Sequence, residues 1–134
     1  MAHYGILPAS QLQGPTAGSL MYSDSGGDGP VVVLLHGVLM GGSLWDAVTE
    51  GLRDRYLCVV PELPFGAHTT PMPDDADLSH PTISTLIAEL LTELDLCQAT
   101  LVCNDWGGAQ LVISPGVRPT ILIEHLYAFL ATNC

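Results

Sequence analysis

The 134-residue chain is predicted to fold as an α/β domain in which a mostly parallel sheet is flanked by helices. Three observations predict this. The runs "VVVLLHG" (31–37) and "TLVCN" (100–104) are apolar at successive positions, as strands covered on both faces must be. Between them Ile83, Leu86, Ile87, Leu90, Leu91 and Leu94 recur at helical spacing, with Glu89, Glu93 and Asp95 off the stripe. Strand-like and helix-like segments also alternate along the chain, the order that builds right-handed α/β sheets.

Taken in order, residues 1–17 are mixed and punctuated by Pro and Gly, and are read as an irregular N-terminal segment ahead of a domain spanning 18–134. "SLMYSDSGGDGP" (19–30) reads as a short strand and a Gly-rich turn. After 31–37, "GGSLWDAVTEGLRDR" offers Ser43 as a helix N-cap, with Leu44, Ala47, Val48 and Leu52 on one face. "YLCVVPEL" (56–63) is a second buried strand, stopped by Pro61 and Pro64, and 64–77 is a Pro- and Asp-rich loop. After the helix at 83–94 and the strand at 100–104, "WGGAQLVIS" starts a helix cut off by Pro115 and Gly116. "TILIEHLYAF" (120–129) is one more strand.

Composition narrows the function. There is no lysine; Arg53, Arg55 and Arg118 stand against 14 acids, for a formal charge of −11. Such a surface repels phosphate backbones and anionic membranes, so neither nucleic acid nor membrane is an expected partner. Cysteines 58, 97, 103 and 134 form no C-x-x-C pair and have no histidine at metal spacing, which suits free thiols and no metal site. The N-terminus lacks the basic start and apolar stretch of a signal peptide. "ILIEHLYAFL" is interrupted by Glu124 and His125 and is too broken to span a bilayer. A cytoplasmic, soluble protein without cofactor is the expectation.

The chemistry centres on "LVCNDWGGAQ" (101–110). In open α/β sheets reactive groups collect beyond the carboxyl ends of the strands, and both His36-Gly37 and Asp105 follow buried strands. By itself Asp105 reads as a helix N-cap. Its neighbours argue otherwise. A side chain displayed on a sharp strand-to-helix turn leaves little room two residues before and two or three after, and Cys103, Gly107 and Gly108 are all small. An N-cap needs no such restriction.

With these residues the chain resembles the N-terminal half of α/β-hydrolase-fold enzymes, in particular the branch of haloalkane dehalogenases and epoxide hydrolases. The matching pieces are "LLHG", "PELPFGAH" and "NDWGG", within about Leu20 to Ser114; residues 115–134 match poorly, as in a chain truncated after the nucleophile elbow. The resemblance implies that Asp105 attacks an electrophilic carbon to form a covalent alkyl-enzyme ester, which water then hydrolyses. It implies an oxyanion hole from the backbone N–H groups of Trp106 and Val38, close approach at Gly37, and a structural His36 propping the loop. The indole of Trp106 would contact a departing halide. The family's second halide donor is often an Asn directly after His-Gly, where this chain has Val38, and the Pro of epoxide hydrolase loops is missing from "HGVLMGG". Neither substrate is singled out beyond a small apolar electrophile.

The family's catalytic histidine arrives after the last strands, and none of that half is present. His3, His68, His80 and His125 read as solvated or packed side chains. Glu124 is a candidate acid, because some dehalogenases place theirs after the strand that follows the nucleophile helix; its plainer reading is a strand-edge carboxylate. The alternative to an enzyme is a catalytically inert remnant, or an interaction module of the same fold.

Overall fold

The computed structural model describes residues 3–7, 19–108, 117–123 and 126–131, with residues 6–7 and the last two stretches described by backbone alone. The strands are β1 (His3–Leu7), β2 (Leu20–Asp24), β3 (Val31–Leu35), β4 (Leu57–Pro61), β5 (Thr100–Asn104), β6 (Val117–Ile123) and β7 (Leu126–Ala131). Helices are α1 (Asp46–Leu52) and α2 (His80–Glu93), and a 3₁₀ turn at Gly42–Trp45 leads into α1. One seven-stranded sheet runs in the order β1-β2-β4-β3-β5-β7-β6. Its centre is parallel: Val32 of β3 pairs with Cys58 of β4 on one side and Thr100 of β5 on the other. The outer pairings are antiparallel.

Apolar runs in β3 and β4 follow from burial on two faces. Val33, Leu35, Val59, Leu101 and Cys103 pack with Ile83, Ile87 and Leu91 of α2. The alternate residues Val32, Leu34, Cys58 and Val60 pack with Trp45 on the opposite face, as the two-residue period of a strand requires. Pro61 fits the end of β4 because the pairing with β3 has already stopped at Val59, so its missing N–H breaks no bond on that side.

The stripe expected for α2 is the observed one, with Ile83, Leu86, Ile87, Leu90 and Leu91 all buried. Its start is fixed by Asp77, whose carboxylate accepts from Ser79 N–H (2.9 Å) and Thr82 Oγ1 (2.6 Å); Ser79 itself makes no cap bond.

Three expectations about the elements are corrected. Residues 3–7, read as irregular, form β1, which pairs with β2 from His3↔Asp24 to Leu7↔Leu20; a strand held by long-range pairing carries little local signal. Ser43 caps nothing, and Trp45 is the buried residue (6% exposed) while Leu44 and Val48 are 42% and 39% exposed. The 3₁₀ turn shifts the phase of the helical face, and the largest apolar side chain takes the buried place. Residues 120–129, read as one strand, are divided between β6 and β7, which pair antiparallel. Two residues separate them, whereas a parallel crossover needs a dozen or more.

Among the described residues no helix is long and apolar enough to cross a membrane. Cys58 and Cys103 are free and buried. Cys97 is disulfide-bonded, contrary to the expectation of free thiols throughout.

Candidate functional site

Parallel β3, β4 and β5 end on one edge of the sheet, and the chain leaves them at His36-Gly37, Glu62-Leu63 and Asp105. Asp105 has φ +51°, the left-handed region that non-glycine residues enter at a cost of about 1–3 kcal/mol. An N-cap residue sits instead in the extended region, so the backbone here is that of a tight turn. Residues 106–108 are helical, and Gly108 N–H donates to Asp105 O at 3.0 Å. The carboxylate is exposed.

Small neighbours make this turn possible. A methyl group at Gly37 would lie 2.8 Å from both Cβ and Oδ2 of Asp105, and one at Gly107 would lie 2.9 Å from the carbonyl oxygens of Leu35 and His36. Backbone at the end of β3 therefore abuts both the Asp105 side chain and the helix that follows it. Gly108 and Cys103 are buried. Burial pushes the Cys103 thiol well above the ordinary cysteine range, so it is a packing residue and not a reactive thiol.

His36 is fully buried and uses both ring nitrogens. Nε2 accepts from Leu63 N–H at 2.8 Å, which places the ring proton on Nδ1, where it donates to Gly37 O at 2.9 Å. The ring also meets Phe65 edge-on, while Leu39 N–H donates to Phe65 O at 3.0 Å. The loop after β3 is thus tied to the loop after β4. Desolvation lowers the His36 pKa, outweighing its bond to Gly37 O and the nearby Glu62.

Val38 follows in that loop and is 37% exposed. Its neighbours Leu39 and Met40 are also exposed, and Leu39 has φ +61°. Trp106 is 46% exposed and stacks on His80, the first residue of α2, with ring centroids 4.6 Å apart and planes 13° from parallel. Nothing in the sequence singled out His80, which is distant along the chain and meets Trp106 only through the fold. Glu124 and His125 lie outside the described residues. Of the other histidines, His3 pairs with Asp24 at 3.3 Å, at the end of β2 that pairs toward the start of β4 and hence away from Asp105. His68 Nδ1 accepts from Gly66 N–H at 3.4 Å. Among the described residues no group of His, Cys, Asp and Glu side chains is arranged to hold a metal ion.

Residues 30–113 match the alpha/beta hydrolase fold family, and the chain belongs to that family. Among curated relatives, a cis-3-alkyl-4-alkyloxetan-2-one decarboxylase of Xanthomonas campestris is 38% identical over 67% of this chain and 33% of its own length. A pimeloyl-[acyl-carrier protein] methyl ester esterase of Aeromonas hydrophila is 34% identical over 72% of this chain and 37% of its own. The chain therefore spans about a third of the length of these relatives. Among solved structures, an epoxide hydrolase from Vigna radiata aligns with TM-score 0.69 at 24% identity, covering 81% of this chain and 33% of that one. A haloalkane dehalogenase from Bradyrhizobium elkani aligns with TM-score 0.65 at 24% identity, covering 82% and 35%. At that identity the structural likeness speaks for the fold alone.

Proposed function

We propose that the chain carries the nucleophile half of a hydrolase in which Asp105 forms an alkyl ester with its substrate. The observation that carries this is the left-handed backbone of Asp105 with its exposed carboxylate against the Gly37 backbone. A carboxylate is ionised at neutral pH and needs no base to attack. One Oδ bonds to the electrophilic carbon as that carbon's bond to oxygen or halogen breaks, and the leaving group departs with the electron pair. Water then adds to the Asp105 ester carbonyl, and collapse of that intermediate returns the carboxylate and releases an alcohol and one proton, which goes to solvent or to the alkoxide left on an opened epoxide. The backbone N–H of Trp106, at a helix start whose first N–H groups have no helical partner, and that of Val38 are assigned to the oxyanion. Cys103, Gly107 and Gly108 provide room for the turn.

For the substrate, the names of three of the similar proteins share one chemistry, which the methyl ester esterase does not. An oxetanone is a strained cyclic ester, an epoxide a strained cyclic ether, and a haloalkane carries a leaving group on saturated carbon. The proposed substrate is a small apolar molecule of this kind. Val38 brings no side-chain donor for a released halide.

A second reading, an inert interaction module of the same fold, is favoured by three of the four histidines among the described residues. His36 is committed at both nitrogens, His3 is held by Asp24, and His68 caps a turn. On the first reading, incubation with bromohexane or styrene oxide leaves an alkyl adduct on Asp105, detected by intact mass and peptide mapping. That adduct persists if no histidine activates water, and it is absent from Asp105→Asn. No adduct from any such electrophile would leave the inert module.

A further inference from the structure

We infer that His80 is a positioning residue for Trp106, fixing the indole at the edge of the site beside Asp105; this rests on the reading of Asp105 as the nucleophile. Trp106 is the residue after Asp105 and is 46% exposed. A large side chain standing this far into solvent ordinarily exchanges among staggered rotamers. Here an imidazole lies flat against it, with centroids 4.6 Å apart and planes 13° from parallel, within the range in which ring pairs attract. A stack occupies the face of an indole and not its N–H edge. It therefore selects one orientation of the ring and leaves its N–H edge uncovered by the imidazole.

His80 is itself held. It is the first residue of α2, which is anchored in the core by Ile83, Ile87 and Leu91. The turn that delivers it is fixed by Asp77, bonded to Ser79 N–H and Thr82 Oγ1. A rigid path thus runs from the core beneath β3 and β5, through the first turn of α2, to the ring beside Asp105. Reacting groups held by side chains that are themselves locked are placed more accurately than groups on a free surface.

The test uses the full chain with His80→Ala, His80→Phe and Trp106→Phe, the fold of each checked by circular dichroism. Trp45 is buried and supplies a constant background, so acrylamide quenching of tryptophan emission reports Trp106. His80→Ala should quench more steeply than wild type, with His80→Phe returning toward it. Adduct formation on Asp105 with bromohexane should slow by about three- to tenfold in His80→Ala, the scale of one lost aromatic pair. It should recover in His80→Phe, and His80→Ala should have no further effect in the Trp106→Phe background. Equal quenching in wild type and His80→Ala, or an unchanged adduct rate, overturns the inference. If wild type forms no adduct with bromohexane or styrene oxide, the nucleophile reading fails, and the quenching comparison alone still decides whether His80 holds Trp106.

Discussion

His36 shows how one buried ring couples local chemistry to stability. Its neutral form accepts from Leu63 N–H at Nε2, and a protonated ring would point a donor at that donor. Desolvation lowers its pKa in the folded chain from the ordinary 6.5, so on acidification the unfolded chain binds the proton first. Its contribution is therefore complete above about pH 6.5 and is lost as pH falls from there toward the lower folded value. Urea unfolding between about pH 7.5 and 5 should show wild type losing more stability than His36→Gln; parallel curves would show that the ring does not titrate differently on folding. At neutral pH His36→Ala, which strands the Leu63 N–H, should cost about 1–3 kcal/mol. Asp105 follows a different rule. Asparagine tolerates left-handed backbone and valine does not, so Asp105→Asn should keep stability within about 0.5 kcal/mol while Asp105→Val loses about 1–3 kcal/mol. Equal losses in thermal melts would contradict the positive φ.

At the scale of elements, the central strands and α2 were legible because burial wrote them directly into the residue order. β3 is apolar at every position since helical segments cover both faces, and α2 shows an unbroken stripe from Ile83 to Leu91. The α1 region was not legible. Its entry through Gly42–Trp45 changes the helical phase, so the stripe of Leu44 and Val48 faces outward and Trp45 inward. Trp45→Ala should therefore cost about 3–5 kcal/mol and Leu44→Ala less than about 1 kcal/mol. Trp45→Phe should be far milder than Trp45→Ala, because Nε1 is buried without a partner among the described residues and its loss breaks no bond. Denaturant midpoints of the three variants check the order; a larger loss in Leu44→Ala would restore the face expected from the sequence. At the site, the turn at Asp105 was readable from Cys103, Gly107 and Gly108, since a crowded bend restricts size locally. His80 was not, because its contact with Trp106 arises only when α2 and β5 lie side by side.

For the whole molecule, two properties set against each other decide its behaviour in solution. The formal charge of −11, with no lysine, keeps copies apart. The loops at the carboxyl edge of the sheet nevertheless expose large apolar groups: Leu39 (80%), Met40, Leu78 and Trp106. Repulsion governs while the carboxylates are ionised, and it fades as the pH approaches the isoelectric point near 4.3. Near that balance apolar contact prevails, since single-sign charge is what keeps such a surface dispersed. Sedimentation velocity should show one species at neutral pH and low salt, and growing association as pH falls toward 4.3. Added salt at neutral pH should act in the same direction by screening within about 10 Å at 0.1 M. Leu39→Glu places a charge at the most exposed apolar point of the edge and should reduce both effects, although one added acid barely alters the total. If Leu39→Glu associates as wild type does, contact occurs elsewhere on the surface and the edge is inert in association.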